Sequence, residues 1–166
     1  MKKFIEKIEK ICKENEKVAM FIDMDGTITV YDIYPENMVN EKMQEEYSQA
    51  EPAQYIIDIL EKVNHIPNLD LYILSLSRTV KITKKKKKWL KKYIPFIEEA
   101  NWIIITKELN EYSKENRNII KAQKIKDMEN EYNYFILLDD DHKILKEAQK
   151  LLDGNINVFH ISSALV

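Results

Sequence analysis

Phe21-Ile22-Asp23-Met24-Asp25-Gly26-Thr27 closes an apolar run that begins at Val18. The run reads as a buried β-strand. Alternate strand residues share a face, so Asp23 and Asp25 are expected to leave the strand end in roughly the same direction. Gly26 permits a tight turn directly after them. Two converging carboxylates at a strand end suit a hard, oxygen-loving cation such as Mg²⁺. They also suit a division of labour between a nucleophile and a general acid/base. An acidic Asp-Gly turn is common without chemistry, so the rest of the chain decides.

The spacing of apolar residues outward from this strand predicts alternating elements. Phe4, Ile5, Ile8, Ile11 and Cys12 line one side of an amphipathic helix within residues 1–17. Pro52 suits the first turn of a helix that turns Tyr55, Ile56, Ile59, Leu60 and Val63 inward. Asp70 to Ser75 reads as a second strand, followed by a lysine-rich helix that carries Trp89 and Leu90 and stops at Pro95. Trp102 to Ile105 is a third strand, and Asn118 to Met128 a helix. Phe135 to Leu138 is a fourth strand ending in Asp139-Asp140-Asp141. A helix with Ile144, Leu145, Ala148, Leu151 and Leu152 follows, and Ile156 to Ile161 offers a fifth strand.

Short, uniformly apolar strands between helices predict a doubly wound, Rossmann-like α/β fold, a parallel five-stranded sheet with helices on both faces. The 166 residues fit one domain, with residues 29–51 as a small cap-like insertion carrying Tyr31, Tyr34 and Tyr47. With only two glycines, the chain has no Gly-rich phosphate loop. A net charge of -2 argues against a dedicated nucleic-acid binder. No apolar run of about 18 residues spans a membrane. Cys12 is the only cysteine, so no intrachain disulfide forms and a cytoplasmic location is expected.

Chemistry-bearing residues therefore fall at strand ends in a fixed order: Asp23 and Asp25, then Ser75, then a lysine, then Asp139-Asp140. Ligands of doubly wound folds bind at those ends. The acidic run at 139–141 also reads as a helix cap. As an ordered set the residues resemble the haloacid-dehalogenase-like (HAD) superfamily, over residues 18 to about 145, with DMDGT as the most specific motif. That resemblance implies an Mg²⁺-dependent phosphatase that hydrolyses a small phosphomonoester through an aspartyl-phosphate. Asp23 matches the nucleophile and Asp25 the general acid and base. Ser75 matches the residue that hydrogen-bonds the phosphoryl oxygen, and Lys121 the family's lysine, with Lys124 the alternative. Asp23, the main-chain carbonyl of Asp25, and Asp139, with Asp140 as second ligand or support, would hold the metal. Thr27, Arg78, Tyr31 and Tyr34 are candidates for substrate binding.

An acid at position 25 points to phosphoester hydrolysis, since members that cleave carbon–halogen bonds usually lack it. Receiver domains share the residue types, but their phosphorylated aspartate follows a middle strand and their lysine comes last. Leu76-Ser77-Arg78, the segment Trp89 to Pro95, and Leu137 to Asp140 resemble the 5′(3′)-deoxyribonucleotidase-like branch, which implies a nucleotidase. Tyr31, Tyr34 or Tyr47 could then stack a nucleobase, or simply pack the insert. Arg78 could grip phosphate bidentately or open the next helix. A phosphotransferase such as a sugar phosphomutase, and a catalytically silent binding protein, are the alternatives. The expected partner is a small phosphorylated metabolite or nucleotide, with the chain a monomer or homodimer. Lys84 to Lys88 is expected to form a solvated helix face opposite Ile82, Trp89 and Leu90, and His142 lies near the acidic cluster.

Overall fold

The computed structural model describes residues 2–30 and 47–166 of the chain. Its helices are α1 (Lys2–Glu14), α2 (Gln54–Val63), α3 (Val80–Tyr93), α4 (Ile120–Lys126) and α5 (His142–Leu151). Its strands are β1 (Val18–Ile22), β2 (Leu69–Ser77), β3 (Trp102–Thr106), β4 (Tyr134–Asp139) and β5 (Ile156–His160). The strands form one parallel sheet in the order β3-β2-β1-β4-β5, so the α/β doubly wound expectation holds.

Every residue of β1 is buried, because helices cover both faces of the central strands. On one face Met20, Ile22 and Ile73 pack with Phe4 and Ile8 of α1, Ile56 and Leu60 of α2, and Trp89 and Leu90 of α3. On the other, Phe21, Leu74 and Leu137 pack with Ile125 of α4 and with Leu145 and Ala148 of α5. This double coverage is what a run of consecutive apolar residues, rather than an alternating pattern, requires. Among the described residues, no helix is long and apolar enough to cross a membrane.

The chain leaves β1 towards β2 on one side and later returns to place β4 on the other side of β1. The crevice that opens between diverging connections lies at the carboxyl ends of β1 and β4. Ile22 pairs with Leu138, so the acids that follow, Asp23 and Asp139, lie level with each other. The strand's alternation stops at Ile22. The Met24 carbonyl then accepts the N–H groups of Thr27, Ile28 and Thr29 at 3.0–3.1 Å, a tight loop that Gly26 permits at φ 74°.

Several boundaries move. Pro52 stands outside the first turn of α2 and bridges to Thr29, with Ala53 as cap, so the two ends of the insertion are pinned together. The N–H of Val30 donates to the Glu51 carbonyl at 2.9 Å and that of Ala53 to Ile28 at 2.8 Å, reinforcing the closure. Tyr55, expected inward, is exposed, and Ile57 takes the buried position beside Ile56. β2 runs on to Ser77, beyond the predicted end at Ser75, because β3 pairs with it through Ser77 and Thr106.

The acidic run divides its work. Asp141 is the cap of α5, accepting the N–H groups of Lys143 at 2.9 Å and Ile144 at 3.5 Å, which leaves Asp139 for the crevice. Asp141→Ala is expected to lower stability by about 0.5–2 kcal/mol. Urea denaturation measures it, and an unchanged midpoint would show that the cap carries no weight.

Candidate active site

Asp23 is buried at the end of β1 and is held from two sides. The Lys121 ammonium, near the start of α4, donates to its Oδ1 at 2.7 Å, and the Thr27 hydroxyl donates to its Oδ2 at 3.1 Å. The same ammonium donates to Asp139 Oδ2 at 2.7 Å, while the N–H of Asp141 donates to Asp139 Oδ1 at 2.9 Å. Lys121 thus reaches from one covering helix to the ends of two adjacent strands. Lys124 is not among these contacts. Thr27, a candidate for substrate binding, is buried and donates to Asp23.

Asp25 stands apart from this cluster, with its side chain 42% exposed. Its Oδ2 accepts from the ammonium of Lys86, on α3, at 2.8 Å. That ammonium also donates to Ser75 Oγ at 2.9 Å and to the Leu76 carbonyl at 2.8 Å. Lys86 corrects the expectation that Lys84 to Lys88 lie on a solvated face, since it is 2% exposed. The signal was present in the spacing: position 86 is four residues after Ile82, three before Trp89 and four before Leu90, which places it on the apolar stripe. Ser75 is fully buried, and its hydroxyl accepts from Lys86 rather than opening to the crevice. Ser77, on the same face of β2 and last in the strand, is the serine that the shorter predicted strand left out.

The remaining expected residues fall as follows. Tyr31 and Tyr34 lie outside the described residues. Tyr47 is buried, edge-on to Trp89 with ring centroids 6.4 Å apart, and its hydroxyl donates to Thr29 at 3.4 Å, so it has no face for a nucleobase. Arg78 is exposed just past β2, and its carbonyl accepts the N–H of Glu108 at 3.1 Å. Arg117, which the sequence did not single out, pairs with Asp141 Oδ2 at 3.0 Å at the crevice edge. His142 stacks on His160, the rings nearly parallel and 4.4 Å apart. A cleft of about 420 Å³ opens here, lined by Asp23, Asp25, Arg117, Lys121, Asp139 and Asp140, among others.

Carboxylate oxygens of Asp23, Asp139 and Asp140 lie within 4.8 Å of one another. An all-oxygen donor set of this size fits a hard divalent cation such as Mg²⁺. Burial, reinforced by the charges of Asp139 and Asp25, raises the Asp23 carboxyl to about 7, although Lys121 pulls the other way. Burial also works against the charge of Lys121, but the carboxylates of Asp23 and Asp139 outweigh it and hold that ammonium firmly protonated. Asp141, despite partial burial, is held below its ordinary range by Arg117 and by the capped N–H groups.

No protein-family model matches the chain, and no curated protein matches it. Solved structures do. An inactive mutant of the HAD domain of effector protein Lem4 from Legionella pneumophila is 15% identical, with 87% of this chain and 84% of that chain covered at a TM-score of 0.53. The chain shares the fold of that HAD domain. The unmutated Lem4 domain is similar at 16% identity over 87% of both chains, with a TM-score of 0.48. A protein described as a haloacid dehalogenase-like hydrolase, from Burkholderia xenovorans, is 12% identical over 86% of this chain and 81% of its own, with a TM-score of 0.47.

The raised Asp23 carboxyl has a thermodynamic consequence. Without metal, the native state keeps a proton on Asp23 that the unfolded chain releases near its ordinary 3.8, so this residue's contribution is full below that pH and is lost as pH rises to about 7. Thermal melts in EDTA should show wild type losing stability relative to Asp23→Asn across that window, with Mg²⁺ restoring it. A difference that stays constant with pH would contradict the electrostatics described here.

Proposed function

We propose that this chain is an Mg²⁺-dependent phosphatase that hydrolyses a small phosphomonoester through an aspartyl-phosphate on Asp23. The observation that carries the reading is the juxtaposition, at one sheet crevice, of a buried carboxylate held by lysine, two further acids within ligating distance, and a second acid two residues on. The Asp25 main-chain carbonyl would complete the metal's ligands alongside Asp23, Asp139 and Asp140. When bound, the cation would screen the repulsion between the attacking carboxylate and the phosphate dianion.

The chain's own groups supply the rest. A carboxylate oxygen of Asp23 attacks phosphorus as the bond to the leaving oxygen breaks, and Asp25 hands that oxygen a proton. Asp25 then takes a proton from water, whose oxygen attacks the same phosphorus and frees Asp23 with release of phosphate. Lys121 spends two of its three N–H bonds on Asp23 and Asp139, which leaves one for an equatorial phosphoryl oxygen. Thr27 fixes the attacking carboxylate, and Arg117 at the cleft edge is suited to hold a phosphate or a second anionic group.

Substrate choice follows from the same cleft. Its size favours a small ester, and Lys121, Arg117 and a bound cation would supply the positive charge that an anionic one needs among the acids. With Tyr47 packed against Trp89, a nucleotide preference would rest on Tyr31 and Tyr34 alone.

Turnover of p-nitrophenyl phosphate should require Mg²⁺ and vanish in excess EDTA. Asp23→Asn should abolish turnover and covalent labelling, and Asp25→Asn should slow turnover by roughly 10²–10⁴-fold while the fold persists. Trapping with BeF₃⁻ should place the adduct on Asp23. Activity undiminished by EDTA, or an adduct on another residue, would refute the assignment.

A second measurement addresses the substrate class. If nucleotides are preferred, Tyr31→Ala or Tyr34→Ala should raise KM for a deoxynucleoside monophosphate about 5- to 100-fold, since a stacked base is worth roughly 1–3 kcal/mol. Activity towards p-nitrophenyl phosphate should be nearly unchanged. Equal effects on both substrates would dispose of the nucleotide preference and leave the general phosphatase reading intact.

A further inference from the structure

We propose that Lys86 is a positioning residue for catalysis, a second buried lysine that aims the Asp25 carboxyl at the leaving group without touching the substrate. The inference rests on the phosphatase reading above and assigns a role to a residue that reading does not need.

The geometry around its ammonium carries the argument. A lysine head has three N–H donors and no acceptor. Here all three have close oxygen acceptors: Asp25 Oδ2 at 2.8 Å, Ser75 Oγ at 2.9 Å and the Leu76 carbonyl at 2.8 Å. The ring of Tyr47 lies beside the ammonium as well, with 5.0 Å to the centroid. Lys86 therefore has no donor left for a phosphoryl oxygen, whereas Lys121 has one. The two lysines approach from opposite sheet faces and hold different members of the acid pair, Lys121 the inner and Lys86 the outer.

Two of the three acceptors are rigid. Ser75 and the Leu76 carbonyl belong to β2, and Lys86 is buried on the same stripe of α3 as Ile82 and Trp89. Asp25 lies in the loop after β1, with much of its side chain in solvent; the Tyr47 hydroxyl lies near it, and among the described residues Lys86 is the cation that ties it to the sheet. A half-exposed carboxyl without such a tie samples several rotamers, and misplacement of a reacting group by about 1 Å can cost on the order of 10²-fold in rate. Packing alone does not call for a charge at position 86. A buried cation has a desolvation cost, and an apolar chain of the same length would fill the space beside Trp89 and Tyr47. What the charge adds is a fixed direction for Asp25.

The experiment is a double-mutant cycle between Lys86→Met and Asp25→Asn, read as kcat/KM on two esters, with melts confirming that each variant is folded. Phenyl phosphate has a poor leaving group that needs the proton from Asp25, and p-nitrophenyl phosphate a good one that needs it far less. Lys86→Met should lower kcat/KM on phenyl phosphate about 10- to 100-fold and on p-nitrophenyl phosphate only a few-fold, mainly through kcat rather than KM. In the Asp25→Asn background the same change should cost nothing further. Equal losses on both esters, a loss expressed in KM, or additive losses in the double variant would each overturn the proposal.

If Lys86→Met melts below the assay temperature, Lys86→Arg carries the same cycle. It keeps the charge but cannot place its planar fork on the same three acceptors. A loss on phenyl phosphate that disappears in the Asp25→Asn background supports the role, and a loss independent of Asp25 refutes it. A wild type that hydrolyses neither ester, or that is indifferent to Asp23→Asn, would overturn the phosphatase reading and this inference together. An active, Asp23-dependent wild type with an additive cycle would overturn this inference alone.

Discussion

One ammonium ion holds the carboxyl end of the sheet together. Lys121 donates 2.7 Å bonds to both Asp23 and Asp139, acids that end neighbouring strands and lie level across the sheet. Two buried carboxylates that close would repel strongly in a medium of low polarity, and each alone would bear a desolvation cost. The lysine offsets both effects at once and in doing so fixes α4 over the crevice. A single ammonium serves both carboxylates, and Asp140 lies close beside them. An all-oxygen donor set of this kind suits a hard cation.

The fold provides the frame for that interaction. β1 lies at the centre of the sheet with both faces covered, so its end is a fixed point against which the loop carrying Asp25 can turn. Connections diverge on either side of it, and a crevice opens between them at the carboxyl ends of the strands. Around this point the molecule uses its acids for different ends. Asp141 satisfies the first turn of α5, Asp139 joins the buried cluster, and Asp25 is left half in solvent. Burial separates the two acids of the first motif more than their spacing does, and such separation of environments is how two like groups take different roles.

The lysines divide the site in the same way. Lys121 approaches from the face covered by α4 and α5, Lys86 from the face covered by α3, and each ends on a different carboxylate. The buried hydroxyl of Ser75 serves this scaffold, bonded to Lys86 within the sheet, while the strand continues to Ser77. Tyr47, where the chain returns from the insertion, is part of the same packing, flanked by Trp89 and the Lys86 ammonium. The return of the chain to α2 is tied there too, since the indole N–H of Trp89 donates to the Ala50 carbonyl at 2.9 Å.

What could be read from residues alone was whatever depends on local pattern. Runs such as Val18 to Ile22 and Phe135 to Leu138 are too short and too uniformly apolar for anything but strands covered on both sides, and the helices between them follow a 3.6-residue period. Those facts set the parallel sheet, and the position of Asp23, Asp25, Lys121 and Asp139 at element ends followed. Contacts between distant segments were a different matter. A run of five lysines looks alike at every position, and only the tertiary structure turned Lys86 inward, because α3 packs its apolar stripe onto the sheet and position 86 lies in that stripe. The extension of β2 to Ser77 depended on pairing with β3, the burial of Tyr47 on Trp89 more than forty residues away. Sequence fixes which groups stand at the strand ends, since alternation and apolar runs are local properties. Which of those groups meet, and which are removed from water, is decided by packing between elements far apart in the chain.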